Sequence, residues 1–205
     1  MSKPTDPLTG LIAGTEVNPS MDALVESNTL FALVLLDIDH LLALNRDFGH
    51  EAGDWVFRLI AAHIKELFQT PSMGFRVGGD AFAIVMPEKN KETAFLVAED
   101  LRRRVCEAQH TPHLNQSVSI GIASFPEDGS RTADIYRRAD GAMIRAKKED
   151  RNCVRLAREE KLTPKTSHYT QAQLEQLSEI SEKISVGEAA LLREALDDLL
   201  RKYDE

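Results

Sequence analysis

A chain of 205 residues has room for one full domain and a small appendage. Its 42% apolar and 28% charged content is that of an ordinary globular protein, and a net charge of −8 argues against a broad nucleic-acid-binding surface while leaving room for a local basic patch. No apolar run approaches membrane-spanning length and Met1-Ser2-Lys3-Pro4-Thr5 lacks a signal-peptide core. Cys106 and Cys153 have neither metal-type spacing nor a disulfide pattern, so the expectation is a cytoplasmic protein with two buried thiols.

The chain opens on a turn-rich stretch, Asp6-Pro7-Leu8-Thr9-Gly10-Leu11, followed by a short helical pattern around Met21–Glu26. The near-continuous apolar run Phe31–Leu36, continued by Asp37-Ile38-Asp39, predicts a strand buried on both faces with two carboxylates at its carboxyl end. Leu41, Leu42, Leu44 and Phe48 predict a helix closed by Gly49. A second helix is expected over about 52–68, with Trp55, Leu59, Ile60, His63 and Ile64 spaced for burial. Two apolar runs then flank Gly78-Gly79 and predict a tight hairpin in which both glycines take positive φ.

Further helices are expected over 91–106 and 132–148, and strands over 118–123 and 153–156. The order of elements predicts an α+β fold: a ferredoxin-like, nucleotidyl-cyclase-type mixed sheet of five strands with flanking helices, over residues 1–157. Residues 158–169 read as a polar linker or short strand. Residues 170–205 read as a helical hairpin with two capping boxes, Thr170-Gln171-Ala172-Gln173 and Ser185-Val186-Gly187-Glu188. Its stripes, Leu174, Leu177, Ile180 and Ile184, then Ala189, Leu192, Leu196, Leu199 and Tyr203, belong to helices too short to fold alone, so they need a partner.

Asp37 and Asp39, with Asp80 on the hairpin, form a carboxylate set suited to a hard divalent cation, since magnesium is held by one or two carboxylates plus substrate phosphates. The plainer reading makes Asp39 a surface carboxylate and makes Asn45 and Asp54 helix caps. Several segments in order carry a resemblance: Asp6–Leu11, Asp37-Ile38-Asp39, Asn45, Gly49-His50-Glu51-Ala52-Gly53-Asp54, Arg76-Val77-Gly78-Gly79-Asp80-Ala81-Phe82, Ser119-Ile120-Gly121-Ile122-Ala123 and Tyr136–Lys147. Together they resemble the GGDEF family of diguanylate cyclases over roughly residues 5–157.

The resemblance implies that two GTP molecules, one on each subunit of a transient dimer, condense to cyclic di-GMP. It implies that Asp37, the Ile38 carbonyl and Asp80 hold magnesium, with Asp80 also catalytic. Asn45 and Asp54 would read guanine, Gly78 and Gly79 would let the nucleotide lie on the hairpin, and Lys147 and Arg151 would contact phosphate. A carboxylate at Asp54 can accept from guanine N1–H and N2–H and finds no such match on adenine.

Four departures from the family pattern bear on activity. Ala81 stands where the family has Glu, Leu42 replaces a phosphate-binding Lys, Arg46 replaces the usual Asp, and Gln69-Thr70-Pro71-Ser72 replaces the Arg-x-x-Asp of product inhibition. Losing one charge-assisted contact costs about 1.5–3 kcal/mol, roughly ten- to a hundred-fold in a rate or equilibrium constant. The resulting expectation is a degenerate member that binds GTP or a related guanine nucleotide with magnesium, against the alternative of an active cyclase. The C-terminal segment resembles a ribbon-helix-helix module, which implies a homodimer and possible DNA contact through Lys165, Ser167 and Tyr169. Nine acidic and six basic side chains over residues 161–205 weigh against DNA and for dimerisation.

Overall fold

The computed structural model describes residues 3–108, 116–158, 165–184 and 187–203. The chain divides into two units, residues 1–160 and 161–205. Six strands make the sheet of the first unit, in the order β1-β3-β4-β2-β5-β6. They are β1 (Ile12–Ala13), β2 (Phe31–Ile38), β3 (Met73–Arg76), β4 (Ala81–Pro87), β5 (Val118–Phe125) and β6 (Val154–Leu156). The helices are α1 (Val17–Glu26), α2 (Leu41–Phe48), α3 (His50–Leu67), α4 (Lys91–Glu107) and α5 (Thr132–Glu149).

The sheet has one strand more than expected. Strand β1 is two residues long and so has no periodicity to read. Its place is fixed by the turn before it, where Asp6 accepts hydrogen bonds from the Thr9 amide at 2.8 Å and hydroxyl at 2.6 Å. That turn sets Ile12 and Ala13 parallel to Phe75 and Arg76.

Strand β2 is central, antiparallel to both β4 and β5, and buried along its whole length. Alternate residues point to opposite faces, so its side chains divide between two cores. Ala32, Val34, Leu36 and Ile38 pack with Val56, Ile60, Ile64, Ala98 and Leu101 of α3 and α4. Phe31, Leu33 and Leu35 pack with Val17 and Met21 of α1 and Ile135, Ala139 and Met143 of α5. The same parity sends Asp37 to the α5 side.

Two local expectations are corrected. The glycine hairpin is not a two-residue turn with positive φ: Arg76 pairs with Phe82 and the Val77 amide donates to the Ala81 carbonyl at 3.0 Å, so Gly78, Gly79 and Asp80 form a three-residue turn. Neither glycine is left-handed, because the extra residue spreads the reversal over three peptides. Cys106 is exposed and Cys153 only half-buried, since each lies at the end of an element rather than on its inner face.

The second unit is a hairpin of α6 (Gln171–Ile184) and α7 (Glu188–Tyr203). The first capping box forms: the Thr170 amide donates to Gln173 Oε1 at 3.0 Å and the Gln173 amide to Thr170 Oγ1 at 3.3 Å. Ser185 of the second box and residues 159–164 of the linker lie outside the described residues. Residues 165–169 form no strand here, which corrects the alternation read for Lys165, Ser167 and Tyr169; a ribbon needs a second strand to pair with, and all three side chains are exposed. Leu174, Ile180, Ile184, Leu196, Leu199, Leu200 and Tyr203 are exposed too.

Candidate functional site

Asp37 lies in the last turn of the pleat of β2, opposite Ala81 on β4 and Ser119 on β5. It is only 6% exposed. Lys147 of α5 reaches it, Nζ to Oδ1 at 2.7 Å, because both occupy the same face of the sheet. The contact is an ion pair of poor direction, and Oδ1 makes no hydrogen bond of good geometry. Burial pushes the Asp37 carboxyl up to about 6; the Lys147 ammonium opposes the shift, and the charges of Asp80 and Asp39 add to it.

Asp80 is exposed at the end of the turn and held beside β2 by its carbonyl, which accepts the Ile38 amide at 3.1 Å. Asp37, Ile38 and Asp80 therefore lie together at the end of β2. A buried carboxylate with a raised pKa and an undirected oxygen, next to an exposed second carboxylate, suits a hard cation that completes its shell with phosphate and water. When bound, such an ion would neutralise both carboxylates and polarise the phosphoryl oxygens.

Asp39 does not belong to that set. It is 2% exposed, and its oxygens accept from Ser117 Oγ and Ser119 Oγ at 2.7 Å each and from the Asn152 amide at 3.1 Å. A carboxylate so fully engaged is neither a surface group nor a free ligand; it ties the end of β2 to β5 and to the loop after α5. Nothing in the local sequence around Asp39 distinguishes this role, since its donors come from residues 117–152.

Asn45 and Asp54 are not helix caps. Asn45 lies inside α2, and Asp54 is the fifth residue of α3, whose N-cap is Gly49 with no side-chain bond. Asn45 Oδ1 is buried without a hydrogen-bond partner among the described residues. It rests on Gly53, where an added Cβ would collide with it. Asp54 is half-buried, with Arg58 Nη2 3.7 Å away as a loose ion pair. The α2–α3 corner therefore presents a carboxylate with capacity to accept, beside a carboxamide whose oxygen is enclosed against Gly53.

Gly78 and Gly79 are exposed, and a Cβ on either would meet nothing within 4 Å. Neither backbone strain nor packing calls for glycine there, so what their bareness provides is a clear approach to the turn. Arg151 is exposed, with φ +53°, just beyond α5. Leu42 is 85% exposed on α2, and Arg46 is spent on Asp47 at 2.8 Å. Ala81 opens β4 as the cross-strand neighbour of Asp37. Sequence reasoning passed over Arg76, whose guanidinium stacks on Phe57 with 3.7 Å to the ring centroid; a lone arginine between apolar residues two places before the glycines was the available signal.

The fold around these groups is that of a GGDEF cyclase-type domain. The GGDEF domain of DgcB from Caulobacter crescentus, solved in complex with c-di-GMP, superposes with a TM-score of 0.67 at 28% identity, covering 77% of this chain and 97% of that one. The active GGEEF domain of a diguanylate cyclase from Vibrio cholerae gives 0.66 at 28% identity, covering 72% and 95%. The family model for the diguanylate cyclase GGDEF domain matches residues 4–153, and the chain belongs to that family. A ribbon-helix-helix domain model matches residues 161–204. Among curated relatives, the response regulator PleD of Caulobacter vibrioides is 31% identical over 159 residues, and the diguanylate cyclase VdcA of Vibrio cholerae 33% over 154. The chain spans 35% and 45% of the length of these two relatives.

Proposed function

We propose that this protein binds GTP or a related guanine nucleotide with magnesium and acts in cyclic di-GMP signalling through dimers formed by its C-terminal unit, with cyclase turnover weak. The observation that carries the nucleotide assignment is the Asp54 carboxylate at the α2–α3 corner, half-buried and held, among the described residues, only by a loose ion pair to Arg58 Nη2 at 3.7 Å. A carboxylate with that spare capacity can accept from both N1–H and N2–H of guanine, and Asn45 packs on Gly53 next to it. Asp37, the Ile38 carbonyl and Asp80 would hold the magnesium, and Lys147 and Arg151 would face the phosphates.

Weak turnover is supported by Ala81 and Leu42, two charged groups of the family pattern replaced by apolar ones. The full-length protein is to be titrated with GTP and with ATP in the presence of magnesium, then assayed for cyclic di-GMP. GTP binding well above ATP, with little product, is expected; robust product at ordinary cyclase turnover sinks the degenerate reading, and equal binding of the two nucleotides sinks the guanine reading.

DNA contact is the second reading, favoured by the match of residues 161–204 to ribbon-helix-helix domains. In a dimer, Lys165, Ser167 and Tyr169 would lie on a paired ribbon and contact DNA. A gel shift with genomic fragments at physiological salt tests it, and absence of any specific complex removes it.

A further inference from the structure

We propose that Arg76 is a positioning residue that couples the two ends of the nucleotide site, locking the Gly78–Asp80 turn to the helix that carries Asp54. The proposal rests on the guanine-nucleotide reading given above. The Arg76 guanidinium donates from Nη2 to the Gly79 carbonyl and from Nη1 to the Ala81 carbonyl at 3.4 Å. Its Cζ lies over two rings, 3.7 Å from the centroid of Phe57 and 4.8 Å from that of Phe82.

Those partners belong to different parts of the site. Gly79 and Ala81 bracket Asp80, at the metal end. Phe57 lies three residues beyond Asp54 on α3, on the same helix face, at the base end. Phe82 is the cross-strand pair of Arg76 and sits 6.1 Å from Phe57, centroid to centroid, closing the stack. Behind the strand, a Cβ at Gly14 would come within 2.6 Å of the Arg76 carbonyl and 2.7 Å of Val77 Cα, so the backbone of residues 76 and 77 packs on Gly14 at a distance only glycine allows.

The turn has little else to hold it. A Cβ on either of its glycines would meet nothing within 4 Å, and among the described residues its further backbone ties are the Val77 amide on Ala81 and the Ile38 amide on Asp80. Burial lowers the guanidinium pKa, and the charges of Asp6 and Asp80 only partly offset the shift. A planar fork that stacks and donates twice is a geometry that lysine cannot reproduce.

The test uses the full-length protein with Arg76→Lys and, separately, Phe57→Leu, which removes the ring but leaves the fork. Without nucleotide, the Val77 and Ile38 amides are expected to exchange hydrogen at least tenfold faster in both variants, while the amides of Val34 and Ile122 keep their protection. GTP affinity with magnesium is then measured for wild type, Asp54→Ala, Asp80→Ala and the double variant, and for the same four carrying Arg76→Lys. The two losses are expected to be non-additive by about fivefold or more in the wild-type background and additive once Arg76 is replaced. Exchange unchanged in both variants, or coupling that survives Arg76→Lys, overturns the proposal. If the wild type binds no GTP while exchange still quickens, the nucleotide reading falls and the coupling with it, and only the clamp on the turn stands.

Discussion

Asp37 joins three facts of the site: it is buried, it faces Lys147, and it lies across the strand from Ala81. Its folded pKa of about 6 stands above the ordinary carboxylate value of 3.8, so folding favours the protonated form. The contribution of Asp37 therefore opposes folding above pH 6 and is relieved as pH falls from 6 towards 4. Measured by denaturant unfolding in EDTA, wild type is expected to gain stability relative to Asp37→Asn between pH 7 and pH 4. One pKa unit is about 1.4 kcal/mol, which makes about 3 kcal/mol an upper bound for the gain; a flat difference between the two proteins would show that Asp37 titrates normally. Ala81 is the cross-strand partner of Asp37, so a glutamate there sets a third carboxylate beside the first two. Ala81→Glu, assayed with GTP and magnesium, is expected to raise cyclic di-GMP formation by roughly ten- to a hundred-fold over wild type, and no rise would move the cause of weak turnover away from residue 81. At this scale the sequence was readable where chemistry and spacing agree, as for Asp37 beyond an apolar run. It was unreadable where a partner lies far along the chain: nothing near Asp39 announces Ser117, Ser119 and Asn152, and so its carboxylate looked free.

The elements legible in advance are those long enough to show a period. Strand β2 with its unbroken apolar run and helices α3 and α5 with their stripes came out within a residue or two of their observed ends. Strand β1 could not be read because two residues carry no alternation, and the hairpin was shortened because Gly-Gly suggests a two-residue turn whatever follows it. Gly121 shows what a single strand glycine can mean. On β5 it faces α5, where an added Cβ would run into the Ala139 carbonyl and the Met143 amide and lie 2.9 Å from Met143 Cα. These are backbone atoms of a helix packed over its length on β5, so they cannot swing aside as a side chain would. Gly121→Ala is expected to lose about 2–3 kcal/mol in denaturant unfolding, and because α5 also carries Lys147, to weaken GTP binding in the molecules that remain folded. Stability within about 0.5 kcal/mol of wild type would mean that α5 rides more loosely on the sheet than its packing indicates.

At the scale of the whole molecule, the first unit buries its apolar residues in two cores, while most of the described large apolar residues of the second stay exposed. Leu174, Ile180, Ile184, Leu196, Leu199 and Leu200 are each at least 40% exposed, on two helices of 14 and 16 residues. An isolated pair of such helices has too little core to offset its conformational entropy, whereas a second copy laying the same stripe against this one would bury it by symmetry. The stripes and the need for a partner were plain in the sequence; the partner was not, because a stripe records that burial occurs and not against what. If the partner is a second copy, dimerisation depends on the C-terminal stripe and not on nucleotide. Leu196→Asp with Leu199→Asp is expected to convert a dimer to a monomer in analytical ultracentrifugation at micromolar concentration, and to leave the GTP affinity of the first unit within about twofold. Thermal unfolding carries a second signature: the midpoint of α6–α7 melting in the wild type should rise with protein concentration, as mass action requires of a fold completed by association. A wild type that sediments as a monomer, with a melt independent of concentration, would remove the homodimer and leave those helices to a different partner.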